Sequence, residues 1–462
     1  MTVTVMERYY AEGVWRANSA IHIGGDLPPA TTGPQMQILR DGQGRPYVPG
    51  TSIMGAVRSV LRTSEGEGDA LRCLLGGDVD QPNRKVQYGS VLYSLDAAAD
   101  ELPSEVVVRD GVQIEDSTRV AADKFKYDFE VLPAGTSFRF RFKLDVYNKP
   151  ALGVSIDDLL ATFGAVLRSL SEGQVWLGAK TRRGLGRGRV NDWIIRRFSS
   201  GNLAHWRSWL AHDFANGGDP VSLESLPKVS LPDQRRFVLQ GNFEIKTSLL
   251  IRSALHRATG PDTTHLQENR RPLLTGSSLT GPLRLHCLRI ARALEIPDAQ
   301  EMISSMFGPK RKSVSDTTKL RASRVCVSES EISNVEHRVH TRTAIDRFTS
   351  APIDGALFSE APVFPATATS NSHPKQHLTV RIELKDPEKR EAGLLLAAFK
   401  DLWGGLLPLG GQTAIGRGVL KGLEGSAEYP DLEPIRIGSE YRVSAGPKEQ
   451  YSELMRELRA SA

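Results

Sequence analysis

Three stretches of the chain alternate between apolar and polar positions. FRFRFKLDVY (138–147), RRFVLQGNFEIKT (235–247) and HLTVRIEL (377–384) carry the two-residue period of strands with one buried face. Elsewhere the spacing turns helical. Ile53, Val57, Val60 and Leu61 recur at helical steps, and so do Leu279, Leu283, Ile290 and Leu294. IDDLLATFGAVLRSLSEG (156–173) and REAGLLLAAFKDLWGG (390–405) predict two further helices, and Pro447 to Ala460 a last one. Thr51 and Ser52, or Ser277 and Ser278, are placed as hydroxyl N-caps of the first pair of helices.

The pattern repeats. VPGTSIMGAVR (48–58) matches LTGSSLTGPLR (274–284), so that Gly50, Ser52, Gly55 and Arg58 correspond to Gly276, Ser278, Gly281 and Arg284. LGAKTRRGLGRGRV (177–190) matches LGGQTAIGRGVL (409–420) through LG, a Thr and the triplet GRG, with a two-residue length difference between. Gly50 to Gly186 spans 136 positions and Gly276 to Gly416 spans 140. Two motifs in one order at one separation predict two copies of one domain. A third match joins 119–142 to 343–368, each a polar stretch leading through an aromatic and acidic cluster into a strand. The copies are expected over 1–212 and 236–425, with 213–235 as a linker rich in Gly, Pro and Ser and 426–462 as a C-terminal appendage. The order strand, helix, strands, helix, strand predicts an α+β fold of two tandem ferredoxin-like units.

Composition narrows the chemistry. The 462 residues exceed one ordinary domain, and 40% hydrophobic with 24% charged residues is globular. Cys73, Cys287 and Cys326 are scattered, which predicts a reducing, cytoplasmic setting. No CxxC or HExxH spacing offers a metal cage. The N-terminal stretch does not read as a signal peptide, and the longest apolar run, Leu394 to Phe399, cannot span a bilayer. Net charge is only +5, so the placement of cations matters more than their sum.

That placement is local. The first glycine loop interleaves Lys180, Arg182, Arg183, Arg187 and Arg189 with Gly184, Gly186 and Gly188. Glycines allow close backbone approach and arginines bond phosphate, a nucleic-acid pattern; a tight turn with solvated charges is the plainer alternative. The second loop offers Gly410, Gly411, Gly416, Arg417 and Gly418. The PGTS and TGSS turns expose N–H groups at a helix start, suited to phosphate, with Arg58 and Arg284 one turn on. GQVWLGAKT (173–181) has one residue too many before its Lys to be a nucleotide-binding loop.

Together these strings resemble the RAMP superfamily of CRISPR-associated proteins, most of all the backbone subunits of type III effectors, the Csm and Cmr complexes. IHIGG (21–25) with RDGQGRPYVPGTSIMGAVR (40–58), the two glycine loops and the central stretch before a strand carry the resemblance over nearly the whole chain. It implies RRM-like ferredoxin cores with β-hairpin thumbs, a guide RNA, a target RNA and neighbouring effector subunits as partners, and no membrane. The RNA-binding positions it implies are His22, Ser52, Arg58, Ser278, Arg284 and the loop residues named above. In catalytic members an Asp before the PGSS helix cleaves target RNA with a divalent metal. Asp262 in GPDTTHLQENRRPLLTGSS stands at about that place and is also the metal-ligand candidate, with Mg²⁺ or another divalent cation as cofactor. In the first copy the position falls near Gln35, and Asp26 is the only acid in the stretch just upstream. An Asx-turn role for Asp262 is the plainer alternative.

Met54 and Thr280 stand where the family often has Lys, and Leu250 where copy one has His22. The expectation is thus a tandem guide-RNA-binding subunit whose second copy cleaves target RNA. Its rivals are the same subunit without activity, a CRISPR-RNA processing endonuclease using His256 or His265, and a protein-only scaffold.

Overall fold

Residues 138–147 behave as their alternation demands. Phe138, Phe140, Phe142, Leu144 and Val146 are buried on one face of a strand, and the residues between them face outward or lie half-covered except Asp145, which is buried and paired with Arg8. Burying each such side chain stabilises the fold by roughly 1.5–3 kcal/mol, which fixes the register against a one-residue slip. The computed structural model describes residues 3–25, 34–62, 66–81, 84–100, 106–115, 121–230, 234–253, 260–309, 321–366 and 377–460. Its contacts form two units: Met1–Val106 with Glu130–Thr181 and Leu185–Asp233, and Val107–Phe129 with Arg182–Gly184 and Gln234–Ala462.

The first unit uses β1 (Val5–Ala17), α1 (Gly50–Leu61), α2 (Asp69–Leu75), β2 (Leu92–Ser94), then, after the hairpin β3 (Val107–Ile114) and β4 (Ala121–Val131), β5 (Ser137–Tyr147), α3 (Ile156–Ser171), β6 (Gly188–Ser199), α4 (Leu203–Leu210) and β7 (Asp219–Val221). Its sheet has the order β7-β6-β1-β5-β2. Numbering the four core strands by chain position gives 4-1-3-2, all antiparallel, the ferredoxin-like arrangement. α3 starts where Ser155 Oγ accepts the Asp158 N–H at 3.0 Å, with two acids in its first turn.

The second unit repeats the plan with β8 (Arg236–Ile245), α5 (Gly276–Ala293), α6 (Ala299–Phe307), β9 (Val325–Val327), β10 (Phe358–Ala361), β11 (Leu378–Lys385), α7 (Lys389–Trp403), β12 (Leu420–Glu428), β13 (Ile435–Ile437), β14 (Val443–Ala445) and α8 (Lys448–Ala460). Its sheet runs β9-β11-β8-β12-β13-β14, again 4-1-3-2 in the core. The hairpin β3–β4 is the thumb expected in the first copy, but β3 and most of β4 group with the second unit. There Arg109 is buried and donates to Glu268 and, at 2.6 Å, to Glu329, whose carboxyl is pushed up by burial against the pull of that arginine. The second thumb is the excursion 340–361. His340–Arg342 pairs with β10, and Asp346 Oδ1 closes the tip by accepting from Phe348 and Thr349 N–H.

Two expected boundaries are corrected. The linker is part of the first unit: β7 pairs with β6, Leu226 is buried, and Arg168 donates to the Pro227 carbonyl at 2.9 Å. A three-residue edge strand is too short to leave a periodic signal. The appendage is part of the second core. β13 extends the sheet, and α8 buries Tyr451, Leu454 and Leu458, with Tyr451 Oη bridging the Tyr429 N–H and the Ala427 carbonyl. Helices α7 and α8 meet at Gly393, where a Cβ would collide with the Leu454 carbonyl oxygen.

Replacing Gly393 with Val is therefore expected to destabilise the second unit by about 2 kcal/mol through overpacking, and removing 430–462 should cost solubility. An unchanged denaturation midpoint for Gly393→Val would contradict the close helix contact.

Candidate RNA-binding and cleavage site

The glycine loops show how the copies align. Leu177 N–H donates to the Gly186 carbonyl and Leu409 N–H to that of Gly418, at 2.9 and 3.0 Å. Gly186 N–H donates to Ala20 and Gly418 N–H to Ser248, both at 2.7 Å. Both glycines have positive φ and no room for a Cβ against the Leu177 or Leu409 carbonyl. The two loops thus have equal length, and the two GRG triplets are not equivalent. Gly184 and Gly186 match Gly416 and Gly418, and Arg417 matches Leu185; both of those side chains are buried.

The same ladder extends upstream. Ala179 N–H binds the His22 carbonyl as Gly411 N–H binds that of Leu250, and Leu39 N–H binds Ile23 as Leu266 N–H binds Ile251. An offset of 227 then sets Gln35 against Asp262. Asp262 is exposed, and it is clamped to β10: Ser359 N–H and hydroxyl donate to Oδ2 at 2.6 and 3.0 Å, and Asp262 N–H donates back to Ser359 Oγ at 3.1 Å. These bonds from Ser359 hold the carboxyl below the usual carboxylate range. A carboxylate so lowered is a weak proton acceptor and a good holder of positive charge. Both bonds from Ser359 fall on Oδ2. No group of three or more His, Cys, Asp or Glu gathers for a metal among them. One carboxylate suits a largely hydrated Mg²⁺ that draws further oxygens from phosphate. Asp26 and His256 lie outside the described residues.

Several residues expected to contact RNA have partners inside the fold. His22 is buried, its Nδ1 2.7 Å from the Glu130 carbonyl oxygen, and burial lowers its pKa. Arg58 donates to the Leu75 and Gly76 carbonyls, and Arg284 donates to that of Gly308 at 2.7 Å. The shared arginine thus caps the C-terminus of the helix that follows, α2 or α6, in each copy. Gly50 and Gly276 approach edge-strand carbonyls of Ser94 and Val327 too closely for a Cβ, which explains the glycine before the helix without a phosphate. The N-caps also shift. Pro49 precedes α1 and the Gly50 N–H donates to Asp96 Oδ1 at 2.8 Å, while Thr275 caps α5 by accepting the Ser278 N–H. Ser52 is exposed and Ser278 half-buried against Thr275 Oγ1. Gly184, Gly186, Gly188 and Gly418 are buried.

What stays at the surface is the rest of the loops. Arg183, Gly410 and Gly416 are exposed, and Lys180, Arg182, Arg187 and Gly411 are half-buried. Arg187 is oriented by the Trp176 ring 4.4 Å below its guanidinium. Arg417 is instead 3% exposed, with Nη2 donating to Glu360 Oε1 at 2.8 Å. Glu360, which the sequence reading missed, is 2% exposed and also takes Arg342 Nε at 3.1 Å and the Gln412 amide. An acid inside the apolar stretch FSEAPVF was its one sequence signal.

The sequence model of the RAMP superfamily matches residues 16–189 and 242–421, and the chain belongs to that superfamily. Each match begins inside the first strand of a copy and ends just past a glycine loop. No curated protein matches the chain. Membership supports a CRISPR-associated RNA-binding subunit. Among the described residues no helix is long and apolar enough to cross a membrane.

His265 is buried, with Nδ1 accepting the Ile251 N–H and Nε2 facing the Leu273 carbonyl at 3.2 Å, which removes it as an acid–base candidate for RNA processing. Burial pushes its pKa down to about 4. The folded value lies below the unfolded one of about 6.5, so the neutral ring stabilises the fold above that pH. The contribution is lost as pH falls from 6.5 toward 4, and the loss should reach about 2 kcal/mol at pH 5. Thermal unfolding from pH 7 to 5 should show a shallower pH slope for His265→Asn than for the native chain; equal slopes would contradict this.

Proposed function

We propose that this RAMP-superfamily chain is a guide-RNA-binding backbone subunit of a type III CRISPR effector, occupying two successive positions, and that its second copy cleaves bound target RNA at Asp262. The observation that carries the reading is the placement of Asp262. In the second copy an exposed carboxylate, fixed by Ser359, stands in the loop before the TGSS helix, at the position of Gln35 in the first.

The glycine loops hold the guide through backbone close to its phosphates and through Lys180, Arg182, Arg183 and Arg187. The thumb 340–361 carries Phe348, 96% exposed at its tip, with Ile345 and Leu357 also exposed. Such side chains stack on bases and splay a nucleotide out of the duplex. The splayed ribose 2′-oxygen attacks the adjacent phosphorus in line, the P–O5′ bond breaks, and the products are a 2′,3′-cyclic phosphate and a 5′-hydroxyl. The 2′-hydroxyl proton leaves to solvent and the 5′-oxygen takes one from solvent. Asp262 Oδ1 would hold a hydrated divalent cation, which when bound supplies positive charge to the pentavalent phosphate. Ser359 keeps the carboxylate ionised and aimed. The other reading, a subunit that binds RNA without cutting it, is favoured by the lack of a three-ligand metal group among the described residues.

Target cleavage by the assembled complex separates the two. Asp262→Ala should lower the cleavage rate at one position at least 100-fold with guide and target binding retained, and chelation of divalent cations should do the same. Unchanged cleavage by Asp262→Ala overturns the catalytic reading.

A further inference from the structure

The two copies share a glycine-loop backbone but fill it differently. The positions that hold Leu185 and Phe129 in the first copy hold Arg417 and Glu360 in the second. The second equivalence follows from Ile21 exchanging backbone bonds with Leu132 as Leu249 does with Val363. Leu185 and Phe129 are buried and apolar, whereas Arg417 and Glu360 are buried and charged. The loop closes with the same hydrogen bonds, within 0.1 Å, on either filling. Folding the loop therefore does not require the ion pair. Burying two charges costs desolvation that apolar side chains of similar volume avoid. The pair occurs in the copy that carries Asp262 and is absent from the copy that carries Gln35.

Its geometry joins two parts of the second unit. Glu360 lies on β10, paired in parallel with Thr263 and antiparallel with His340. Its carboxylate gathers Arg417 and Gln412 from the glycine loop and Arg342 from the thumb. Its chain neighbour Ser359 supplies both hydrogen bonds to Asp262 Oδ2. Glycine loop, Glu360, Ser359 and Asp262 thus form one line, hydrogen-bonded at both ends and joined in the middle by the peptide bond between Ser359 and Glu360.

We propose that Glu360 is a positioning residue which, through its buried pair with Arg417, makes the seating of Asp262 depend on the state of the second glycine loop. A loop held in place by a nucleic-acid backbone keeps Arg417 and Gln412 on Glu360, and this keeps Ser359 on Asp262. A loop displaced from that place releases the line. The cleavage part of the test rests on the proposed role of Asp262; the coupling part does not.

The experiment is hydrogen exchange on the full chain, with and without a single-stranded guide RNA, reading segments 260–264 and 358–361 in the native protein, Glu360→Gln and Arg417→Leu. In the native protein RNA should slow exchange of both segments about tenfold. Arg417→Leu should abolish that slowing, and Glu360→Gln, which keeps the shape and part of the bonding, should retain an intermediate share. Should Arg417→Leu fail to fold, the double variant Arg417→Leu with Glu360→Phe restores the apolar filling of the first copy and is read instead. Equal RNA-dependent slowing in all variants overturns the coupling. In the assembled complex, Arg417→Leu should lower kcat for target cleavage about tenfold with KM within threefold; a change in KM alone also overturns it. If Asp262→Ala leaves cleavage intact while exchange follows the pattern above, the coupling stands and the catalytic assignment falls.

Discussion

Each copy turns on one steric constraint, a glycine with positive φ packed against a leucine carbonyl. At Gly186 and Gly418 any side chain would occupy the space of the Leu177 or Leu409 carbonyl oxygen. That contact lets the loop fold back beside the segment leaving the first strand, and the Gly186, Gly418, Ala179 and Gly411 N–H groups then stitch it to Ala20, Ser248, His22 and Leu250. The stitched segment leads toward the loop of Gln35 or Asp262. Loop and candidate site are therefore positioned by one backbone device, and the side chains around it can vary without moving it.

Variation has used that freedom in one direction. The first copy keeps apolar side chains at Leu185 and Phe129, and the cations of its glycine loop face outward to varying degrees. The second has fewer loop cations, holds Arg417 inward on Glu360 where the first has Leu185, and has an acid where the first has Gln35. The exposed cations suit holding a phosphate chain; the inward pair suits fixing a local geometry. One scaffold thus supports two uses through a few substitutions beneath a constant backbone.

The sequence carried the architecture because strands and helices leave periodic traces. Alternation at 138–147, 235–247 and 377–384 and the helical spacing after Gly50 and Gly276 all coincide with observed elements to within two residues at their ends. Letters misled where backbone role and residue identity part. The GRG triplets align by eye, yet positive φ belongs to Gly184, Gly186, Gly416 and Gly418, so the true register differs by two. The paired Arg58 and Arg284 looked like ligand residues because they recur, and they recur because each copy has a second helix whose C-terminal carbonyls need a donor. Short strands such as 219–221 and 435–437 leave too few residues for a period to register, which hid the linker and the tail within their sheets.

Burial sorts the charged residues more sharply than net charge does. A +5 chain gives only weak attraction for RNA, and much of its cationic surface is already spent on internal carbonyls and carboxylates, as at Arg58, Arg284, Arg109 and Arg417. Arg109 and Arg417 are buried, and each of these two, once deprived of its partner, would leave a costly unpaired group. Their partners are therefore fixed, and they cannot be lent to phosphate without opening the fold. Arg183 is exposed in the glycine loop, so under the proposed function affinity for a phosphate backbone would draw on residues of its kind, with the buried set shaping the surface beneath it.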